Sequence, residues 1–292
     1  MGEYRFQGYE AFAHEKEFDF SKRSSIGVGG KAEIAFFPKS IAELTWLLDC
    51  LRDDGIAYQV VGNLTNVLPS DKGTDKAIIC TRNLNSLKRT DEGIFACAGV
   101  QSGALLTACR RNFLSGAEFL YGIPCTVGGA LYMNAGAGGK YASEIVENVL
   151  AYREGEVCTL SLLECEYDYK KSVFMSNQDV ILGANFRLTP AEADEIAGRE
   201  HAYADRRAHL PTGKSMGCVF KNTKEKSAGK LIEECGLKGM RLGGVHISRK
   251  HANFIINDGA GTAHEIETLI QIIKENVFTR FGVRLEEEIR RI

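Results

Sequence analysis

Two glycine-bearing loops hold the residues best suited to chemistry. The first, Gly62-Asn63-Leu64-Thr65-Asn66, follows the strand-like run from Ile56 to Val61. A loop at a strand end can hold phosphate oxygens through backbone N–H groups and a hydroxyl. No GKS or GKT follows, and the spacing is not GxGxxG, so it is neither a Walker loop nor the dinucleotide fingerprint. In the second, Gly122, Gly128, Gly129 and Gly136 alternate with Pro124, Thr126, Asn134 and the long apolar Leu120, Ile123, Val127, Leu131 and Met133. Glycines this dense beside apolar residues let main-chain N–H groups approach something flat or anionic, because no Cβ intervenes. A flexible linker would be Gly/Ser-rich and lack the apolar residues. The segment therefore reads either as a cradle for a phosphate or cofactor or as a tight buried turn of a sheet domain.

These loops need a scaffold, and 292 residues can bury a large core, with two domains as the prior from length. The 36 basic and 38 acidic residues nearly cancel, so nothing points to a nucleic-acid or membrane-surface protein. No apolar run approaches the roughly 20 residues that cross a bilayer, and the charged, aromatic N-terminus has no signal-peptide hydrophobic region. The nine cysteines are odd in number, form no CxxC pair and sit mostly in apolar settings, as expected of small buried hydrophobes in a reducing, cytoplasmic protein. No Cys/His spacing supports a metal site.

In chain order, Ala32–Phe37 reads as a strand, and Ser40 with Glu43 as a capping box opening a helix that Gly55 ends. Strands are expected in IAYQVVG, KAIIC and GIFACAG, then a helix from Ser102 to Phe113 that carries Leu105, Leu106, Cys109 and Phe113 inward. Asn148–Leu160 reads as a hairpin turning at Glu154-Gly155, and Asp179–Leu188 as a further strand. The Ala/Glu/Arg-rich stretch Pro190–Leu210 reads as a polar surface helix at a domain boundary. A helix from Ser227 to Cys235 and the strand HANFIIN follow. Thr262 with Glu265 then opens a helix whose apolar face runs from Ile266 to Phe281, up to Gly282, and VRLEEEIRRI reads as the last strand. Grouped rather than strictly alternating strands make the class α+β.

Taken together, SSIGVGGKAEIAFFPKS, GNLTNVLPSDKG, EFLYGIPCTVGGALYMNAG, GCVFKN, AGKLIEECGLKGMRLGG, HANFIIN and FGVRLEEEIR resemble the UDP-N-acetylenolpyruvoylglucosamine reductase family, in that family's order. The resemblance implies an FAD-binding domain of the vanillyl-alcohol oxidase/PCMH type, followed by a smaller α+β substrate-binding domain. On this basis the N-terminal arm is 1–20, the FAD-binding domain 21–189 (lobes of about 21–80 and 81–189) and the substrate-binding domain 190–292. The stretch between Leu188 and Arg206 is short, which resembles the form lacking an extra substrate-covering loop. The family monomer reduces UDP-N-acetylglucosamine enolpyruvate to UDP-N-acetylmuramate in peptidoglycan precursor synthesis, with tightly bound FAD and NADPH as co-substrate.

Hydride addition to the enolpyruvyl double bond builds enolate character beside a carboxylate, so the site needs a stabilising charge and a proton donor. The resemblance implies Cys218 as the donor, where the family usually has serine. A thiol, with a reference pKa of about 8.5, stays mostly protonated at neutral pH; the other reading is a small buried cysteine. The family's carboxylate aligns with Glu288, while strand alternation puts Glu287 with Val283, Leu285 and Ile289 on one face; both remain open. Lys170, in Tyr169-Lys170-Lys171-Ser172, stands where the family has arginine and keeps the charge without the bidentate grip. A solvated lysine pair is its alternative.

For FAD the resemblance implies Gly62, Asn63, Thr65, Asn66, Gly122, Ile123, Thr126, Gly128, Asn134 and Gly136; for the UDP-sugar, Tyr169, Lys221, Asn222 and Asn253. Cys125 replaces the usual glycine of the family's GIPGT, and His251 reads as a structural histidine. Two other functions fit the same residues: a flavin oxidoreductase of this fold with another substrate, and a non-catalytic paralogue that binds FAD or the nucleotide sugar.

Overall fold

The computed structural model describes residues 6–292; residues 1–5, the start of the expected N-terminal arm, lie outside the described residues. The helices, in chain order, are α1 (Phe20–Arg23), α2 (Ile41–Asp53), α3 (Ser102–Arg111), α4 (Val127–Tyr132), α5 (Ala193–Arg207), α6 (Ala228–Glu234) and α7 (Ala263–Phe281). The chain forms two compact units. Unit 1 holds the segment ending at Lys16, Ile34–Asn63 and Lys76–Ala208; unit 2 holds Glu17–Glu33, Leu64–Asp75 and His209–Ile292.

Ala77–Cys80 pairs in parallel with Lys31–Phe36 on one side and Tyr58–Val61 on the other, in a sheet whose fourth strand is His14–Asp19. α2 covers these strands with Leu44, Leu47, Leu48 and Leu51, all fully buried, on the i, i+3, i+4, i+7 stripe of an amphipathic helix. Its Ser40 hydroxyl accepts the Glu43 N–H, but the Glu43 carboxylate takes the Lys39 N–H instead of closing the expected box on Ser40. The second sheet is antiparallel throughout, in the order Glu156–Ser161, Val146–Arg153, Val180–Arg187, Gly93–Cys97, Leu87–Arg89. Its first hairpin turns at Glu154 and Gly155, both at positive φ (52° and 94°), as a two-residue turn that follows strand twist requires.

Unit 2 is smaller. The antiparallel strands Arg241–Leu242, Val245–Ile247 and Ile255–Asn257 pack with α6 and α7 around Val245, Ile255, Leu231, Ile266, Leu269 and Ile273. α7 starts on the expected Thr262/Glu265 capping box and stops at Gly282, which takes φ +67° at the C-cap.

Three further expectations need correction. Phe113 does not point inward: it lies past the end of α3 at φ +55° and is 56% exposed, because the chain turns there. VRLEEEIRRI is not one strand; only Arg290–Arg291 forms a ladder, parallel to Val67–Leu68, and Glu287 makes a single bridge to Phe220. The Pro190–Leu210 stretch is not a wholly polar surface helix, since α5 buries Ile196 and Glu200 and belongs to unit 1.

Candidate active site

The Gly62–Asn66 loop is built for close approach and open donors. A Cβ on Gly62 would lie 2.3 Å from the Thr126 Oγ1, so only glycine lets this backbone reach the second glycine segment. Asn63 Nδ2 donates to Gln101 Oε1 (2.5 Å) and to the Pro124 carbonyl (3.0 Å), and Gln101 Nε2 donates back to Asn63 Oδ1 (2.9 Å). Leu64 holds φ +54°. Among the described residues, the main-chain N–H groups of Gly62, Asn63, Leu64 and Asn66 have no protein acceptor. Backbone donors left unpaired on a turn form an anion-binding concavity. These orphan donors suit the phosphates of a dinucleotide.

The second glycine segment works differently. Buried Thr126 caps α4, accepting the Gly129 N–H on its Oγ1 at 3.2 Å. The Val127 and Gly128 N–H groups bond to the Val100 and Ala98 carbonyls, each at 2.8 Å. The first donors of α4 are thus satisfied within the protein, and this segment offers a thin surface rather than an anion site. A Cβ on Gly128 would meet Ala98 Cβ at 3.0 Å, and one on Gly136 would meet the Lys140 carbonyl at 2.4 Å. Ser102 Oγ donates to the Ile123 carbonyl at 2.5 Å, which fixes the Gly122–Thr126 turn. Burial pushes the Cys125 thiol up to about 11, so it stays neutral at working pH.

Asn134 is 3% exposed and sits at φ +41°. Its Nδ2 donates to the Asp168 carbonyl (2.9 Å) and its Oδ1 accepts the Ser143 N–H (3.0 Å). These bonds make Asn134 a strut between the glycine segment and the Asp168–Lys171 turn. That turn closes with two main-chain bonds between Asp168 and Lys171, with Lys170 at its tip in the left-handed region (φ +51°). Tyr169 is partly exposed and meets Tyr141 edge-on, centroids 6.2 Å apart.

Unit 2 assembles the remaining candidates. Cys218 is half-buried and follows Gly217, which sits at φ +77° with open space where a Cβ would be. Val219 donates its N–H to the Asn253 carbonyl at 2.9 Å and accepts the Glu288 N–H at 2.8 Å. Phe220 bridges antiparallel to Glu287, and the Lys221 N–H reaches the Glu286 carbonyl at 2.8 Å. Asn253, 2% exposed, accepts the Phe220 N–H (2.9 Å) and donates to the Phe220 carbonyl (2.8 Å). Both ends of this amide are engaged by the Phe220 main chain, so Asn253 braces the segment that follows Cys218.

Asn66 likewise turns inward, donating to the Glu288 carbonyl at 3.1 Å and accepting the Arg290 N–H on its own carbonyl at 2.9 Å. Asn222 Oδ1 accepts the Ala228 N–H at the start of α6, and Lys221 Nζ pairs with Glu286. The Glu287 carboxylate pairs with Lys274 and with Arg291 Nη1 (2.6 Å). Burial opposes ionisation there, but the two cations prevail and hold its pKa below the usual range. Glu287 is therefore held as an ion-paired anion, and Glu288 is the next residue along the chain. His251 Nδ1 accepts the Asn253 N–H at 3.3 Å, and burial lowers its pKa, as a structural role requires.

Among the described residues no group of His, Cys, Asp and Glu could hold a metal ion, and no helix is long and apolar enough to cross a membrane. Sequence reasoning missed Gln101, the amide partner of Asn63, and Arg207, which packs on Gly122. The only signal for Arg207 is its place at the basic end of a helix.

The family model for the C-terminal domain of UDP-N-acetylenolpyruvoylglucosamine reductase matches residues 208–292, and a model for an FAD binding domain matches 32–161. The UDP-N-acetylenolpyruvoylglucosamine reductase of Geobacter metallireducens is 38% identical over 276 residues, 92% of this chain and 91% of that one. This chain belongs to the UDP-N-acetylenolpyruvoylglucosamine reductase family. The relative from Caldicellulosiruptor bescii is 39% identical over 281 residues, 94% of this chain and 89% of that one. The crystal structure of UDP-N-acetylenolpyruvylglucosamine reductase from Thermus caldophilus matches with a TM-score of 0.82 at 30% identity, covering 96% of this chain and 98% of that one. The α+β class, with an FAD-binding domain before a family-specific C-terminal domain, holds, and the chain is an FAD-dependent oxidoreductase.

The Gly62–Thr126 contact yields a direct expectation. Gly62→Ala forces the two segments apart and is expected to cost about 1–3 kcal/mol, with FAD lost from the purified protein. Gly103→Ala, exposed in α3 with open space around it, is expected to gain about 0.4–1 kcal/mol. Thermal melts and flavin content check both.

Proposed function

We propose that the chain reduces UDP-N-acetylglucosamine enolpyruvate to UDP-N-acetylmuramate, with NADPH as reductant, for peptidoglycan precursor synthesis. Bound FAD supplies the two-electron hydride chemistry that no side chain offers. The open N–H groups of Gly62, Asn63, Leu64 and Asn66, with the Thr65 hydroxyl, hold its phosphates. The turn from Gly122 through Ile123 to Gly128 would hold the rest of the cofactor.

The remaining work falls to side chains. The Cys218 thiol gives its proton to the carbon next to the substrate carboxylate as hydride arrives at the neighbouring carbon. Glu288 steadies the thiol and the developing enol through hydrogen bonding. Lys170 offsets the enolate charge as a point cation, a looser grip than arginine would give. Tyr169, Lys221 and Asn222 hold the UDP-sugar. Support comes from one observation above others: the residue after Cys218 accepts the Glu288 N–H at 2.8 Å, which ties donor and carboxylate to paired backbone. All nine cysteines are thiols, which supports a cytoplasmic location. The family resemblance supports a monomer.

The test is optical. The purified protein is expected to be yellow, to bleach with NADPH, and to regain its colour rapidly only with the enolpyruvyl UDP-sugar. Equal reoxidation by UDP-N-acetylglucosamine, which lacks the double bond, would remove the assignment. Asn253→Ala is expected to lower kcat while leaving the substrate KM unchanged, and to cost about 1–3 kcal/mol of stability from unsatisfied buried main chain. A rise in KM alone would return Asn253 to the substrate contacts.

A further inference from the structure

The last turn of α5 carries two guanidinium groups, Arg206 and Arg207, at the end of a helix that favours cations. Each lies against a glycine of unit 1. A Cβ on Gly122, whose φ is +71°, would come within 3.0 Å of Arg207 Nε and 3.2 Å of its Cδ. A Cβ on Gly138, at φ +62°, would meet Arg206 Nη1 at 2.6 Å. Arg206 is further held over the Tyr203 ring, 5.4 Å from its centroid. Arg207 is close enough to Cys125 to act on its thiol, opposing the effect of burial.

This placement is anchored. Ile196 is buried, and Glu200, 3% exposed, accepts from Arg110 Nη1 at 3.1 Å. Arg199 donates to Ser115 Oγ, which in turn donates to the buried Glu118 carboxylate at 2.6 Å. Glu200 stands two helical turns before Arg207, so a fixed mid-helix sets the position of the terminal arginine. A solvated helix end would need neither the buried carboxylate nor the two glycines.

We propose that Arg207 holds negative charge of the bound FAD against the Gly122–Thr126 turn. The proposal rests on the FAD reading of that turn. FAD offers such charge in two places: its diphosphate, in both redox states, and its ring, which gains electron density only on reduction. The guanidinium serves either through a charge-assisted hydrogen bond.

The experiment uses the full-chain holoenzyme with Arg207→Gln and Arg207→Lys, reading the rate of FAD release and the midpoint potential of the bound flavin. Contact with the diphosphate makes the glutamine variant release oxidised FAD at least tenfold faster at unchanged potential. Contact with the reduced ring leaves that release unchanged and lowers the potential by about 30 mV per tenfold loss of preference for the reduced form. Lysine is expected to restore part of either effect. If the glutamine variant does not fold, lysine alone carries the test, since it keeps the charge but loses the planar grip. Flavin release and potential both at wild-type values in the folded variants overturn the proposal. A wild-type protein that retains no FAD sinks the cofactor reading, and this proposal with it.

Discussion

Cys218→Ala is expected to leave flavin bleaching by NADPH unchanged while slowing reoxidation by the enolpyruvyl UDP-sugar by about 10²–10⁴-fold, the usual worth of a positioned general acid. The two half-reactions separate because only the second needs a proton on carbon. Cys218 is half-buried, and truncation to alanine removes a single sulfur atom. Its stability cost is expected to stay within about 1 kcal/mol. Cys218→Ser, which restores a hydroxyl at the same atom position, is expected to recover most of the rate. Rapid-mixing absorbance at the flavin band reads both half-reactions in one sample. Equal slowing of bleaching and reoxidation would mean that the substitution disturbs the flavin itself.

Glu288→Gln and Glu287→Gln are expected to fail in different ways. Glu288→Gln removes a charge from the reacting site and is expected to slow reoxidation by about 10²-fold or more, with little change in melting temperature. Glu287→Gln leaves Lys274 without this anion and Arg291 with Glu267, and is expected to lower stability by about 1–3 kcal/mol with turnover largely intact. The pH dependence follows from the sign of the shift. The folded-state pKa of Glu287 lies below its ordinary value of 4.5, so its contribution is present above that value and disappears as pH falls through the folded pKa. Acid unfolding of Glu287→Gln is therefore expected to be less steep below about pH 4.5 than in the wild type. Melting curves from pH 3 to 7 beside turnover assays decide the matter; loss of turnover in Glu287→Gln alone would exchange the two roles.

Much of the fold could be read locally. Ser40, Thr262, Glu265 and Gly282 mark helix ends because capping depends on residues a few positions apart. The Glu154-Gly155 turn was legible for the same reason. Phe113 was not, since a left-handed residue at a helix end overrides apolar periodicity. Nor was the fate of Asn134 or Asn253. Each looked like an available amide, and each is engaged by backbone 33–34 residues away in sequence. The ion pair of Glu287 was not legible either, because Lys274 lies on a helix whose contacts no strand alternation contains. Arg207 was hidden in a stretch that reads as polar surface, because the burial of Glu200 depends on Arg110 far upstream.

The most direct measurement is the pH profile of single-turnover reoxidation in the wild type and in Cys218→Ser. A thiol gives up its proton at alkaline pH, whereas a serine hydroxyl does not titrate in water's working range. The wild-type rate is expected to fall on the alkaline side, and the serine variant to lose that limb while keeping the rest of its profile. Superimposable profiles would show that the proton comes from some other group, and the thiol would lose its place in the reaction.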